Sequence, residues 1–440
     1  MKEEFLHFVW KYQLFDPSSL TDNTGSQIEV ISTGDYNHDA GPDFFNSRLR
    51  IGGTEWAGNV EIHIKSSDFE LHGHHRDHSF DNVILHVVWE NDRRVRNARG
   101  REVLTSAIRV SGSVHDKYLN LVNNPAVIAC QDEIGKCDRF FIACWLKALM
   151  VERLSGKCGF IETIYRETGN DWEETFYRLV CRYFGFRVNT GPFEMLSAAL
   201  PYKVIKKHSD NLFQVESLLF GTAGLLDEGL FKSTTEDRYF LELSKEFRVL
   251  SSKYSLNPVH GWLWKFSRLR PVNFPTIRLS QLSSLLCTAG GMFSRTIESK
   301  DPGELKKLFE VTASSYWTDH YVFGKSSRPV MKRTGEMALK ILLINTVIPI
   351  IFAYGKSRGE RSFSDRSVEF LEKIGPESNS VISEWESAGI HPGSAADTQA
   401  LVQLKTCYCR KRRCLDCRIG QRIIASGAIL KNPEEVIMES

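Results

Sequence analysis

Apolar positions near the start recur at helical spacing: Phe5, Phe8, Val9 and Tyr12 predict an amphipathic helix over residues 3–14. From residue 27 the texture changes to short alternating or apolar runs separated by Gly, Asn and Asp, which predicts strands over 27–32, 45–51, 59–65, 82–89 and 102–110. Gly52-Gly53 between the second and third runs predicts a tight hairpin. After Val114 the period returns to the helical one. Helices are expected over 140–157, 171–184, 212–226, 236–254, 279–289, 302–312, 336–353 and 364–374. The expected class is α+β. An α/β domain with a mixed sheet spans 1–115, a mainly α-helical region spans 116–400, and a short Cys-rich basic tail spans 401–440.

Composition changes this picture only locally. The 440 residues are 42% hydrophobic and 25% charged, which excludes disorder as the main state. The 56 basic residues against 54 acidic ones leave a net charge of +2, which argues against bulk coating of nucleic acid. No basic stretch followed by an apolar run opens the chain, and the apolar segment 338–354 is broken by Lys340, Asn345 and Pro349. A buried core helix, no membrane partner and a cytoplasmic location are expected. The 10 cysteines are too sparse for a disulfide scaffold, yet four of them crowd between Cys407 and Cys417. Seven of the 13 histidines lie between His38 and His86. Chemistry is expected at these two clusters.

In the strand 59–65 side chains alternate, so Val60, Ile62 and Ile64 face a core while Glu61, His63 and Lys65 form a polar row. A hairpin through Gly52-Gly53 brings Asp43 beside Glu61. Two convergent carboxylates suit a hard divalent cation, and a cation beside a basic group suits phosphodiester hydrolysis. The segment Pro42-Asp43, then Glu61-Ile62-His63 after an N-terminal helix, resembles the PD-(D/E)XK nuclease superfamily. The resemblance implies a restriction-endonuclease-type core. Asp43 and Glu61 would hold Mg or Mn, Glu3 or Glu4 would be an acid on the first helix, and His63 stands where the family has Lys. Lys65, two residues on, is the substitute expected to share catalysis with His63. The whole chain is also similar to an uncharacterised bacterial family, through Trp10–Phe15, Ala40–Phe45, Arg270-Pro271 with Asn273-Phe274-Pro275, and Cys414–Gly420 among other segments.

Three further groups carry expectations. His72, His74, Asp77 and His78 suit a second, transition metal or a substrate phosphate. His86, inside an apolar run, reads as a hydrogen-bonded strand histidine. Arg268, Arg270 and Arg278, set among aromatics, suit nucleic-acid contact, as do Arg410, Lys411, Arg412 and Arg413. The tail places Cys407, Cys409, Cys414 and Cys417 at the spacing of a thiolate site for zinc, or alternatively an iron–sulfur cluster. Together these predict a metal-dependent nuclease-like protein. The alternatives are a catalytically inactive nucleic-acid-binding or scaffold protein, or a metallohydrolase built on the histidine cluster.

Overall fold

The computed structural model describes residues 2–22, 24–231 and 234–427. The described residues divide into two compact units: those of 2–146 with 384–390 and 402–427, and those of 147–383 with 391–401. The tail, expected as a domain of its own, therefore belongs to the first unit.

The first unit opens with helix α1 (Glu3–Lys11) and builds one mixed sheet. Its strands are β1 (Ile28–Ser32), β2 (Asp35–Tyr36), β3 (Phe44–Ile51), β4 (Thr54–Lys65), β5 (Val83–Glu90) and β6 (Thr105–Ala107). The order is β1-β3-β4-β5-β6, with β2 also paired to β3. Strands β3 and β4 form the expected hairpin, since Gly52 (φ 54°) and Gly53 (φ 82°) both take the left-handed conformation of a two-residue mirror-image turn. Gly34 has φ 84°, and a Cβ there would lie 2.3 Å from the Phe45 carbonyl oxygen, so only glycine lets the β1–β2 connection lie against β3. Strands β4 and β5 are parallel, which forces a crossover through residues 66–82. That crossover holds the short helix α2 (Asp68–Leu71) and two 3-10 turns, His74–Arg76 and His78–Phe80. Phe69, Phe80, Val95 and Val103 pack into a small core that fixes it to the sheet.

The strand expected over 102–110 shrinks to three residues, and helix α3 (Gly112–Asn123), absent from the expectation, follows it. Its buried face is only Val114, Tyr118 and Leu121, too sparse to stand out in a polar sequence. Helix α4 (Arg139–Glu167) begins in the first unit.

The second unit is mainly helical, with one small hairpin (His320–Val322 and Lys325–Ser326). Helix Pro275–Thr288 is its centre: every residue from Pro275 to Leu286 is buried. The apolar segment forms a continuous helix over Glu336–Arg358, widened to a π turn at Leu343–Val347. That turn precedes Pro349, whose missing N–H would otherwise break the ladder. This one helix is long and apolar enough to cross a membrane, and most of it is buried within the unit.

Lys157 is partly buried here, donating to the Ile344 carbonyl (3.2 Å), Asn345 Oδ1 (3.0 Å) and Gln399 Oε1 (2.8 Å). Burial, with the nearby Arg153, lowers its pKa from 10.5 to about 7. Between those values the unfolded chain binds the extra proton, so this lysine's contribution to stability rises with pH and is lost as pH falls toward 7. From pH 7 to pH 9.5, the stability difference between wild type and Lys157→Met, measured by denaturant unfolding, is expected to move by about 3 kcal/mol in favour of wild type. A difference that does not change with pH contradicts a neutral lysine.

Candidate metal centre on the first sheet

Asp43 sits at the entry to β3, where the register of the β3–β4 pair slips between Phe44 and Ser47. The hairpin sets Phe44 opposite Val60, so Asp43 meets Glu61. The two residues interlock: the Asp43 N–H donates to Glu61 Oε2 (3.2 Å), and the Ile62 N–H donates to Asp43 Oδ2 (2.8 Å). Glu61 is 4% exposed. Burial first, and then the neighbouring Asp43 carboxylate, push its pKa well above the ordinary carboxylate range. Such a pair holds negative charge that the protein leaves partly unbalanced, which suits a cation.

Imidazoles complete the site. His63, on the same row of β4, is 1% exposed, and its Nε2 lies 3.5 Å from Glu61 Oε1. His74 Nε2 lies 3.2 Å from the same oxygen. The Phe80 ring stacks on His74 at 3.9 Å and Phe69 meets it edge-on, so the small core that anchors the crossover also aims this histidine. His72 Nδ1 stands 3.0 Å from His63 Nε2. Burial lowers the pKa of His63 to about 2, helped by the neighbouring histidines, and lowers that of His74 as well. On the other side His7, from α1, places Nε2 3.4 Å from Asp43 Oδ2 and 3.8 Å from Glu3 Oε1, with Nδ1 3.2 Å from the Tyr36 hydroxyl. Burial opposes its charge, but Asp43 and Glu3 outweigh burial and raise its pKa. The carboxylate pair and the histidine cluster, read separately from the sequence, are thus one site.

A chain of hydrogen bonds sets the His63 tautomer. Thr105 Oγ1 donates to the Val103 carbonyl (3.1 Å), so toward His86 Nδ1 (3.4 Å) it is the acceptor. His86 is then protonated on Nδ1, and its bare Nε2 accepts from His63 Nδ1 (2.9 Å). His63 Nε2 is left without a proton, facing Glu61 and accepting from His72 Nδ1 (3.0 Å). These tautomers are assigned from the network. The strand histidine expected at position 86 is hydrogen-bonded as expected, and it also orients His63.

A family model described as Protein of unknown function (DUF2851) matches residues 3–380. The chain belongs to that family. No curated protein and no solved structure matches it.

The remaining expected residues of this DUF2851 chain fall elsewhere. Lys65 lies at the exposed end of β4 and pairs with Glu90 of β5 (3.3 Å), because the row leaves the covered part of the sheet there. Asp77 caps a 3-10 turn through the Ser79 N–H (2.8 Å), and the exposed His78 pairs with Asp81 (2.8 Å), so neither joins the cluster. Arg278 is buried, bonded to Gln281 (2.8 Å) and Asn273 (2.5 Å), with its guanidinium 4.2 Å over the Phe186 ring. It is a packed residue of the central helix and lines a cleft of about 610 Å³ with Arg270, rather than standing free for a strand of nucleic acid. Arg268, Arg270, Arg410 and Lys411 are exposed, and Arg413 pairs with Asp416 (2.8 Å).

In the tail all four cysteines are free thiols. The tail helix Arg418–Ala425 packs on α3, and Arg418 and Arg422 lie 5.7 Å over Trp145 and Phe141 of α4. The loop between α3 and α4 carries Cys130, a position the sequence reading left out. Burial raises the thiols of Cys130, Cys409 and Cys414, and Cys417 raises each of them further. Cys407 is two residues from Cys409, and positions two apart on a helical turn do not share a face; its sulfur lies 3.8 Å from the Thr406 hydroxyl. Arg412, with φ 54°, keeps Nη1 buried without an acceptor and favours the thiolates of Cys409 and Cys414.

Proposed function

We propose that the first unit is a divalent-metal-dependent phosphodiesterase of nuclease type, acting on nucleic acid, with its cation held by Asp43 and Glu61. The observation that carries this reading is the interlocked Asp43–Glu61 pair, buried and ringed by imidazoles. The order of elements supports it: a helix, then Pro42-Asp43 entering β3 and Glu61-x-His63 on the next strand, β4, the order of the PD-(D/E)XK pattern. A Mg²⁺ or Mn²⁺ ion, when bound there, lowers the pKa of a water and offsets charge on the phosphate.

The chain's own groups do the rest. Asp43 and Glu61 position the cation through oxygens that the Ile62 and Asp43 N–H groups orient. His63 and His74, kept neutral by burial, present nitrogens that accept a hydrogen bond or a ligand bond. His7, drawn toward its charged form, supplies positive charge at the edge of the site in place of the family's lysine. Binding without turnover is the alternative, favoured by the position of Lys65 beside Glu90. Cleavage of labelled DNA and RNA with Mg²⁺ or Mn²⁺ added back to chelator-treated protein separates the two.

The tail is read as a structural thiolate site for zinc, or an iron–sulfur cluster, with Cys130, Cys409, Cys414 and Cys417 as its ligands. Cys130→Ser is expected to lower metal content at least fivefold by elemental analysis, and Cys407→Ser to leave it unchanged. Equal loss in both variants contradicts this ligand set.

A further inference from the structure

The Glu61 carboxylate faces two ways. Its Oε2 accepts from Asp43, while its Oε1 faces His63 Nε2 and His74 Nε2 at 3.5 and 3.2 Å. His72 Nδ1 closes the group, 3.0 Å from His63 Nε2. The donor atoms of His63, His72 and His74 all lie within 4.8 Å of one another. A tetrahedral zinc-type ion, with bonds of about 2.0–2.2 Å, needs ligand atoms about 3.3 Å apart. The spacings of 3.0, 3.2 and 3.5 Å are three edges of that size; the three imidazoles form the mutually close group, and Glu61 Oε1 meets it through His63 and His74.

The tautomer of His63 agrees, and His72, whose Nδ1–H donates to it at 3.0 Å, has only to carry its proton on the other ring nitrogen to ligate. The Thr105–His86–His63 chain leaves His63 Nε2 bare, as a metal ligand must be. A ligating histidine usually donates its other N–H to a fixed acceptor, and His63 Nδ1 does so to His86. His74 is clamped between aromatic rings, and His72 is exposed, giving an ion a way in. Three imidazoles with one carboxylate oxygen suit zinc, iron, nickel or copper better than magnesium.

We propose that His63 Nε2, His72 Nδ1, His74 Nε2 and Glu61 Oε1 bind one transition-metal ion of the zinc class, beside the cation site of Asp43. Glu61 then bridges two ions, its Oε1 on the transition metal and its Oε2 toward the hard cation. The histidine site stands on its own ligands; only the bridging rests on the phosphodiesterase reading.

The test uses Co²⁺ as a coloured stand-in for Zn²⁺ on the full chain after chelator treatment. Wild type is expected to develop visible absorption that saturates at one Co²⁺ for the part lost in His72→Ala. Zn²⁺ is expected to displace that signal and millimolar Mg²⁺ to leave it. Thiolate-bound Co²⁺ in the tail is distinguished by its near-ultraviolet band. His72→Ala, at an exposed position, and His74→Ala are each expected to weaken binding at least 10-fold, while Asp43→Asn retains it. Binding that His72→Ala leaves intact overturns the proposal, as does loss in Asp43→Asn with retention in His72→Ala. Intact Co²⁺ binding with no cleavage under any metal counts against the phosphodiesterase and supports the histidine site.

Discussion

Replacing Asp43 with Asn and Glu61 with Gln in one chain is expected to lower metal-dependent cleavage by at least about 10³-fold, the scale lost when preorganised charge in an active site is removed. The double change keeps the shape of both side chains and the oxygens that accept from the Ile62 and Asp43 N–H groups. It removes both formal charges, and with them the reason for a cation to settle there. In the metal-free variant two effects oppose each other: the crowding of two carboxylates is relieved, and the attraction between Asp43 and His7 is lost. Glu61 is buried beside a second carboxylate, and neutralising a buried, poorly balanced charge removes a cost. Thermal unfolding without metal separates loss of charge from loss of fold: a variant that loses cleavage yet unfolds near the wild-type temperature has lost charge, not fold.

The second large effect is expected at His86, which touches neither carboxylate. It is fully buried, and its Nε2 accepts from His63 Nδ1. His86→Leu removes the acceptor while keeping bulk, freeing the His63 ring to rotate or change tautomer. Partners of this kind are worth 10- to 100-fold in metal affinity or activity. The transition-metal concentration giving half-saturation is expected to rise by about that factor. His86→Gln, whose Oε1 can still accept the bond, is expected to recover most of it. A merely structural role predicts that both substitutions weaken the protein alike, with no recovery by Gln.

How much of this was legible in the sequence depends on the distance over which each contact acts. The Asp43–Glu61 meeting was readable because a two-residue hairpin at Gly52-Gly53 fixes the register of everything between them. The helix 3–14, the strands near 27–32, 45–51, 59–65 and 82–89 and the buried helix near 338–354 rest on local periodicity, and they appear close to where it put them, while the strand over 102–110 shortens to Thr105–Ala107. His7 was not readable, since its place beside Asp43 depends on how α1 packs on the sheet. Nor was the union of His72 and His74 with Glu61, which a crossover and two phenylalanines create. Lys65 was misjudged because alternation along β4 says which face a side chain takes but not where the covered part of the sheet ends. The burial of Arg278 was not readable, because the expected helix over 279–289 begins in fact at Pro275 and takes Arg278 into a helix buried on all sides. Cys130 stands far in sequence from Cys409, so spacing within the tail could not find it. The class that periodicity gave, a mixed N-terminal sheet followed by a mostly helical region, stands.

The central claim is that Asp43 and Glu61 hold the cation of a phosphodiester-cleaving site. The most direct measurement is cleavage of fluorophore-labelled single- and double-stranded DNA and RNA by chelator-treated full-length protein, with Mg²⁺ or Mn²⁺ added back, beside the Asp43→Asn, Glu61→Gln double variant. Cleavage is expected only with added cation in the wild type and is expected to be absent from the double variant. Cation-dependent cleavage of equal rate in both proteins, or none in the wild type with either ion, would contradict the claim.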